Sequence, residues 1–375
     1  MSEVVLASAS EKQKWIAKYF QEYVRDSRFM PYMSNADLNK GGIILTRYEL
    51  QEEAGKTINI PFIGRLTGSG VTGSEILDGA EEELVNFNFA MSIDWRRNAV
   101  RVPKSTSYKT EVNLLNAAKD GLNVWESEKL RDDIIKAMAS VVVGTSGAST
   151  DLVNFDVATA ANKNTWTAAN SDRILFGNAI SNYNATFSTA AANVTSAMKA
   201  SVPIMGLAKR MAKSANPRIR PWRVDSMNGR EFFVAFHGAR SFRDFKADTT
   251  IVSANTNARA REDDGWKNNP IFQDGDLFYD GVLHREVPEI DDYCATAGFN
   301  AIGGSSADVR PVFLCGSGSV GIAWGQEPTP RTDYLKDYGF RPGVAIEELL
   351  GVKKIAYNGV QNGVFTVLVG AAADS

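Results

Sequence analysis

A few groups of residues in this chain have types and spacings that could do chemistry. The first is Gly68-Ser69-Gly70-Val71-Thr72-Gly73, which spells G-x-G-x-x-G. In a dinucleotide site such glycines let the backbone approach a pyrophosphate held at the N-terminus of the helix that follows. That chemistry needs a buried strand before the glycines and an apolar helix after them. The run Thr57-Ile58-Asn59-Ile60-Pro61-Phe62-Ile63 alternates like a strand. After Gly73, however, come Gly79 and the adjacent Glu81, Glu82 and Glu83, and carboxylates there repel a pyrophosphate. From Leu84 to Ile93 the chain alternates again at period two. The pattern is strand, polar glycine-rich tip, strand. A nicotinamide-dependent oxidoreductase using Gly68–Gly73 stands only as the alternative reading.

The remaining groups are weaker. His237 with Ser241 four residues on could support acyl transfer. No oxyanion-hole or nucleophile-elbow pattern accompanies them, so His237 reads as a hydrogen-bonded turn histidine and His284 as a strand histidine. Two histidines and the two cysteines, Cys294 and Cys315, are too scattered for zinc. Glu262-Asp263-Asp264, with Asp274 and Asp276, offer oxygens to a hard cation, but their spacing matches no calcium loop and reads as a solvated face. The basic group Lys209, Arg210, Lys213, Arg218, Arg220 and Arg223 surrounds Trp222. It suits phosphate contact and stacking and is the candidate nucleic-acid-facing surface. It suits equally a pairing with acids on the same chain or on a neighbour. No catalytic, cofactor-binding or metal-ligating residue is therefore assigned, and no cofactor is expected.

The elements that would position these groups point elsewhere. With 375 residues and a net charge of -3, the chain has room for an ample core and no global pull toward nucleic acid or membrane. The opening residues hold no basic segment followed by an apolar run, which reads as no signal peptide. No apolar run approaches the roughly 18 residues that span a membrane. Two cysteines make no disulfide framework, which suits a reducing cytoplasm.

Residues 11 to 25 form an amphipathic pattern with Trp15, Ile16, Tyr19, Phe20 and Tyr23 on one stripe, expected to dock on the chain's own core or on a neighbouring subunit. A strand is expected at 43–48 and a long hairpin over about 56 to 102. Its unpaired strand edges are a liability in a lone chain and a resource in one that assembles. Its charges include Arg96, Arg97 and Arg101. A long helix is expected from Ser107 to about Val142, with a possible bend at Gly121 or break near Glu128. A helix over 188–214 is shifted or kinked by Pro203. Phe232–Phe236 reads as a buried strand, 239–245 as a short helix, and Asp280-Gly281 as a hairpin turn. Strands are expected at 309–314 and 320–324. The chain closes with strands at 351–357 and 363–369 joined by a turn. Mixed helices and strands of this kind make an α+β chain built to contact copies of itself.

Three stretches carry a resemblance. Ile60-Pro61-Phe62-Ile63-Gly64-Arg65-Leu66 through Leu77–Leu84 and Ile93–Val100, then Leu122-Asn123-Val124-Trp125, then Gly351-Val352-Lys353-Lys354 with Gly363–Val367, resemble the N-four-type major capsid proteins of tailed bacteriophages. The resemblance implies the Hong Kong 97-type capsid fold. Residues 1–55 would be an N-arm, 56–105 an extended E-loop, 106–199 a spine helix and peripheral domain, 200–305 an axial domain, and 306–375 a return to the peripheral domain. It implies self-assembly into the hexamers and pentamers of an icosahedral head around double-stranded DNA, after assembly in the bacterial cytoplasm. Portal, scaffold and decoration proteins would be further partners, DNA a non-specific one, and membranes none. A tail-tube subunit is the other structural alternative. Contacts between copies would fall on Arg65, Gly68, Gly70, Gly73, Glu81, Glu82, Glu83, Arg96, Arg97 and Arg101 of the E-loop and on Trp15, Tyr19, Phe20 and Tyr23 of the N-arm. The glycines would give a tip able to adopt different geometries over its neighbours.

Overall fold

The computed structural model describes residues 29–34, 42–52, 55–64, 86–107, 114–224, 229–259 and 276–373, together with positions 66, 68, 70–74, 78 and 81–84 of the hairpin tip. Its main strands are β1 (Ile44–Arg47), β2 (Thr57–Ile63), β3 (Asn86–Ser92), β4 (Asp94–Arg101), β5 (Ile174–Phe176), β6 (Arg230–His237), β7 (Asp276–Tyr279), β8 (Val282–Glu286), β9 (Val309–Cys315), β10 (Val320–Asp333), β11 (Gly343–Lys354) and β12 (Val364–Gly370). The helices used below are α1 (Leu114–Ala139), α2 (Ala160–Ala169), α3 (Val202–Ser214), α4 (Ala239–Lys246) and α5 (Glu289–Ala297).

Two sheets organise these elements. The first runs β7-β8-β6-β9-β12-β5, with Trp222–Val224 paired on β6. Every residue of β9 and β12 is buried, and apart from Arg310 and Thr366 both strands are apolar throughout rather than alternating. Alternation nonetheless sorts their side chains between the two faces. Phe233, Ala235, Val312, Leu314, Phe365 and Val367 pack on Ile204, Met205 and Ala208 of α3 and on Phe242 and Phe245 of α4. Val234, Phe236, Phe313, Cys315 and Leu368 join Ile290 and Cys294 of α5 and Ile134 and Met138 of α1. The second sheet runs from the two-residue strand Met33–Ser34 through β1, β10 and β11 to β4. Its Ile44, Leu45, Val320, Ile322 and Leu350 enter the same apolar cluster as α1, so one core joins both sheets.

Several expectations change. The long helix is continuous through Gly121 and Glu128 and covers Leu114–Ala139, about 39 Å at 1.5 Å per residue. The expected helix over 188–214 is two, Phe187–Ala192 and α3, and Pro203 lies in the first turn of α3, where its missing N–H breaks no helical bond. The closing strands are present, and the Asn- and Gly-rich link between them holds its own short pair, Ala356–Tyr357 with Val360–Gln361. β11 and β12 lie in different sheets, as do β9 and β10. The segment 306–375 therefore contributes strands to both sheets. Alternation announces a strand's faces but not its partner, and the link between β9 and β10 merely crosses from one sheet to the other. The turn at Asp280-Gly281 is as expected, with both residues at positive φ (47° and 67°) as a type I′ hairpin requires.

The hairpin of β2 and β3 ends at Ile93, earlier than expected. β2 and β3 pair antiparallel from Thr57↔Ser92 to Ile63↔Asn86, and β4 then pairs with β11 instead. Gly147 pins the hairpin root. Its carbonyl accepts from Ala90 N at 2.7 Å, its φ is +75°, and a Cβ there would strike the backbone of Asn88. Gly121, by contrast, lies exposed on α1 with nothing within 4 Å of an added Cβ. Denaturant unfolding of unassembled subunits should separate the two. Gly147→Ala should destabilise by at least about 1–3 kcal/mol, while Gly121→Ala should stabilise by up to about 1 kcal/mol.

Candidate assembly surface

Only one residue of β2, Ile60, is buried, and only Phe89 and Met91 of β3. These three, with Ile93, tie the hairpin root to the common core. Phe62 stacks on Tyr357 at 5.1 Å between ring centroids, and Phe87 tilts against the same ring at 5.5 Å. Beyond the root the hairpin exposes apolar side chains. Ile63 is 70% exposed, and Leu66 and Leu84 are each 57% exposed. Past the last ladder pair the arms stay together, because Gly68 N donates to Glu82 Oε2 at 2.6 Å. Glu81, Glu82 and Glu83 are all exposed. Gly70 and Gly73 take positive φ (66° and 69°) with open space where a Cβ would be, so the tip turns there in a conformation glycine adopts without strain. Arg65 lies outside the described residues.

The dinucleotide alternative fails on this geometry. Among the described residues after Gly73 none is helical before β3 begins at Asn86. Among the described residues, no helix N-terminus is presented to a phosphate at that turn.

The arginines expected to reach a neighbour divide. Arg96 is engaged within its own chain. Its guanidinium bonds Glu348 of β11 and Asp133 of α1 and lies 3.8 Å from Glu126. The side chains of Glu126 and Glu348 are 0% and 1% exposed. Burial works against the Arg96 charge, but Glu348, Asp133 and Glu126 outweigh it and hold its pKa above the usual arginine value. Arg101 pairs with Asp333 at 2.9 Å on the surface, and Arg97 is exposed opposite Glu347 in the β4–β11 ladder. The clamp on Arg96 escaped the sequence reading, although two of its members carry a signal. Glu126 sits in the i, i+4 series Leu122, Glu126, Leu130, Ile134, Met138 of buried α1 residues. Glu348 alternates with buried Ile346 and Leu350 on β11. A carboxylate on an apolar stripe demands a buried cation.

Trp15, Tyr19, Phe20 and Tyr23 lie outside the described residues. The part of this region that is described anchors through two aromatics the sequence did not single out. Phe29 and Tyr32 are buried edge-on against Phe236 at 5.1 and 5.5 Å, and Tyr32 also meets Trp222 at 5.9 Å.

The basic group is also split. Lys209 pairs with Asp280 at 3.1 Å, and Arg210 is exposed on α3. Lys213, Arg218 and Arg220 line a groove of about 1320 Å³ between residues 213–221 and the hairpin root. Arg223 lies beside Gly229 on the strand paired with β6. Of the acid cluster, 262–264 and Asp274 fall outside the described residues.

The two histidines, expected to be separate, meet in the core. His237 Nε2 lies 2.9 Å from His284 Nδ1 across the β6–β8 pairing, with both side chains buried. Burial pushes His237 down to about 3 and, with the neighbouring ring, holds His284 well below its usual value. The Ser241 hydroxyl donates to the Gly238 carbonyl and offers no nucleophile. Cys294 and Cys315 are free and buried, and burial raises both thiols, Cys315 to about 12.

Residues 3–368 match the model of the phage capsid protein family, and the chain belongs to that family. It is 24% identical over 356 residues to the major capsid protein of Pseudomonas phage KPP25, covering 92% of this chain and 89% of that one. Among solved structures, the capsid asymmetric unit of cyanophage Pam1 matches at a TM-score of 0.85 and 44% identity, with both chains fully covered. The capsid of Ralstonia phage GP4 shares the fold at a TM-score of 0.69 and 19% identity, over 93% of this chain and 92% of that one. The fold is thus the Hong Kong 97-type expected, and the chain is a phage major capsid protein of the virion shell. Its family and relatives are structural capsid proteins rather than oxidoreductases.

The Arg96 clamp can be tested on unassembled subunits. Arg96→Met leaves Glu126 and Glu348 buried without their cation and should cost about 3–5 kcal/mol in denaturant unfolding. Arg101→Met, on an exposed pair, should cost less than about 1 kcal/mol.

Proposed function

We propose that this chain forms the hexamers and pentamers of an icosahedral head and that its hairpin carries the contact between copies. The observation that supports this is a hairpin rooted in the core by Ile60, Phe89 and Met91 whose outer apolar residues, Ile63, Leu66 and Leu84, are more than half exposed. Exposed strand edges and apolar side chains together favour pairing with a second chain. Residues 56–105 then serve as the E-loop and 1–55 as the N-arm, with Trp15, Tyr19, Phe20 and Tyr23 as its docking stripe.

The helix-backed sheet of β6, β9 and β12 serves as the axial domain at the centre of each capsomer. The sheet of β10 and β11, with α1 as its spine, serves as the peripheral domain, and β4, from the end of the 56–105 segment, pairs on its edge. Each contact is modest, and the shell is held by their number. Double-stranded DNA is enclosed non-specifically. Exposed Arg210 of the basic group faces it, and the net charge of -3 keeps the wall from gripping the genome. Portal, scaffold and decoration proteins are further partners, and assembly takes place in the host cytoplasm.

Deleting residues 67–80 removes the tip and leaves the root intact. The variant should give folded, soluble subunits by circular dichroism and no closed shells by negative-stain microscopy. Intact particles from the deletion would contradict the role given to the hairpin.

A further inference from the structure

The groove beside the hairpin root has a composition that matches the hairpin's own tip. Its floor is aromatic and apolar, with Phe62, Phe87 and Tyr357 on one side and Ile219 between Pro217 and Pro221 on the other. Its rim is basic. Lys213, Arg218 and Arg220 are exposed there, and among the described lining residues Glu231 is the one acid. At about 1320 Å³ it exceeds the roughly 300–1,000 Å³ usual for small-molecule sites, and it is open enough for a polypeptide segment. The tip offers the complement, with Leu66 and Leu84 more than half exposed and the acids Asp78, Glu81, Glu82 and Glu83 exposed beside them.

A chain cannot fill its own groove in this way. The groove is lined by Pro61 to Gly64 and Phe87, at the base of the hairpin. The arms keep facing one another as far as Gly68 and Glu82. The Gly68–Glu82 bond holds the acids of the tip against the opposite arm of their own hairpin, beyond the base that lines the groove.

Resting on the assembly role proposed above, we infer that the acidic tip of the hairpin, residues 78–84, seats in the groove of a second copy, between residues 213–221 and that copy's hairpin root. The occupant's acids meet Lys213 and Arg218, and its leucines cover the aromatic floor. Each copy offers one tip and one groove on different surfaces. The contact is head-to-tail, and it closes into rings when the rotation between copies allows. The assignment also gives the basic residues of the groove a partner other than the genome.

A charge swap tests it. Lys213→Glu with Arg218→Glu places acids opposite acids and should lower the yield of closed shells by about tenfold or more, since like charges juxtaposed at an interface cost several kcal/mol. Asp78→Lys with Glu83→Lys should do the same, and combining all four substitutions should restore shells. The inference is overturned if the groove variant assembles normally, or if the combined variant stays defective while each pair alone is folded by its melting curve. It is also overturned if the groove variant forms normal shells that hold less DNA, since the groove would then face nucleic acid. If deletion of 67–80 blocks assembly but the groove variant does not, the hairpin's role stands and this seat for it falls. A second variant is independent of charge. Glu83→Cys with Arg218→Cys in assembled shells, treated with copper phenanthroline as oxidant, should give a ladder of disulfide-linked chains on a denaturing gel. A lone monomer band would refute the seat directly. The natural cysteines are both buried and leave the readout clear.

Discussion

One guanidinium fixes where the hairpin leaves the body. Arg96 sits four residues after β3 ends at Ser92, just past Ile93, which turns into the core, at the point where the chain passes from the hairpin into the edge of the five-stranded sheet. It bonds Glu348 on the adjacent strand and Asp133 on α1 while facing Glu126. Three carboxylates converge on one cation, two of them almost wholly buried, so none of these groups can shift without leaving charge unpaired in the interior. The exit of the hairpin, the long helix and the central strand β11 are locked as one piece. A lever that must hold another molecule needs such a base.

The core supports the same arrangement. The apolar cluster runs from Phe29 and Ile44 through Ile60 and Phe89 to Ile134, Phe236 and Phe313, so the hairpin root is part of the main packing rather than an appendage to it. Close backbone approaches tighten the joint. A Cβ at Gly147 or Gly351 would meet the backbone of Asn88 or Ser92, and both of those residues lie on β3. In contrast, the outer hairpin exposes leucines and acids, which are what a partner would cover. The molecule thus separates a rigid, fully packed base from a sparsely packed contact segment.

The sequence disclosed the parts of this plan that depend on local pattern. Alternation in Thr57–Ile63 and Asn86–Ser92 gave the two arms, the three glutamates excluded a nucleotide turn, and Asp280-Gly281 marked its hairpin. What stayed hidden depends on partners far away in the chain. Period two cannot say that β10 joins β11 while β9 joins β12, since all four alternate or are largely apolar. Arg96 looked like any charged residue in a basic run, because its role is set by Glu348, 252 positions away. His237 and His284, 47 apart, met for the same reason, when β6 and β8 paired in parallel. The groove could not be read at all, since it is assembled from residues 61–64, 213–221 and 357–362.

The central claim is that residues 64–85 are covered by another copy and by nothing in their own chain. Hydrogen exchange followed by mass spectrometry, on free subunits and on assembled shells of the same protein, tests this most directly. Backbone amides of 64–85 should exchange freely in the subunit and become protected in the shell, while those of β9 and β12 stay protected in both. Equal protection of 64–85 in the two states would contradict the account, because the segment would then be covered by its own chain or by no other.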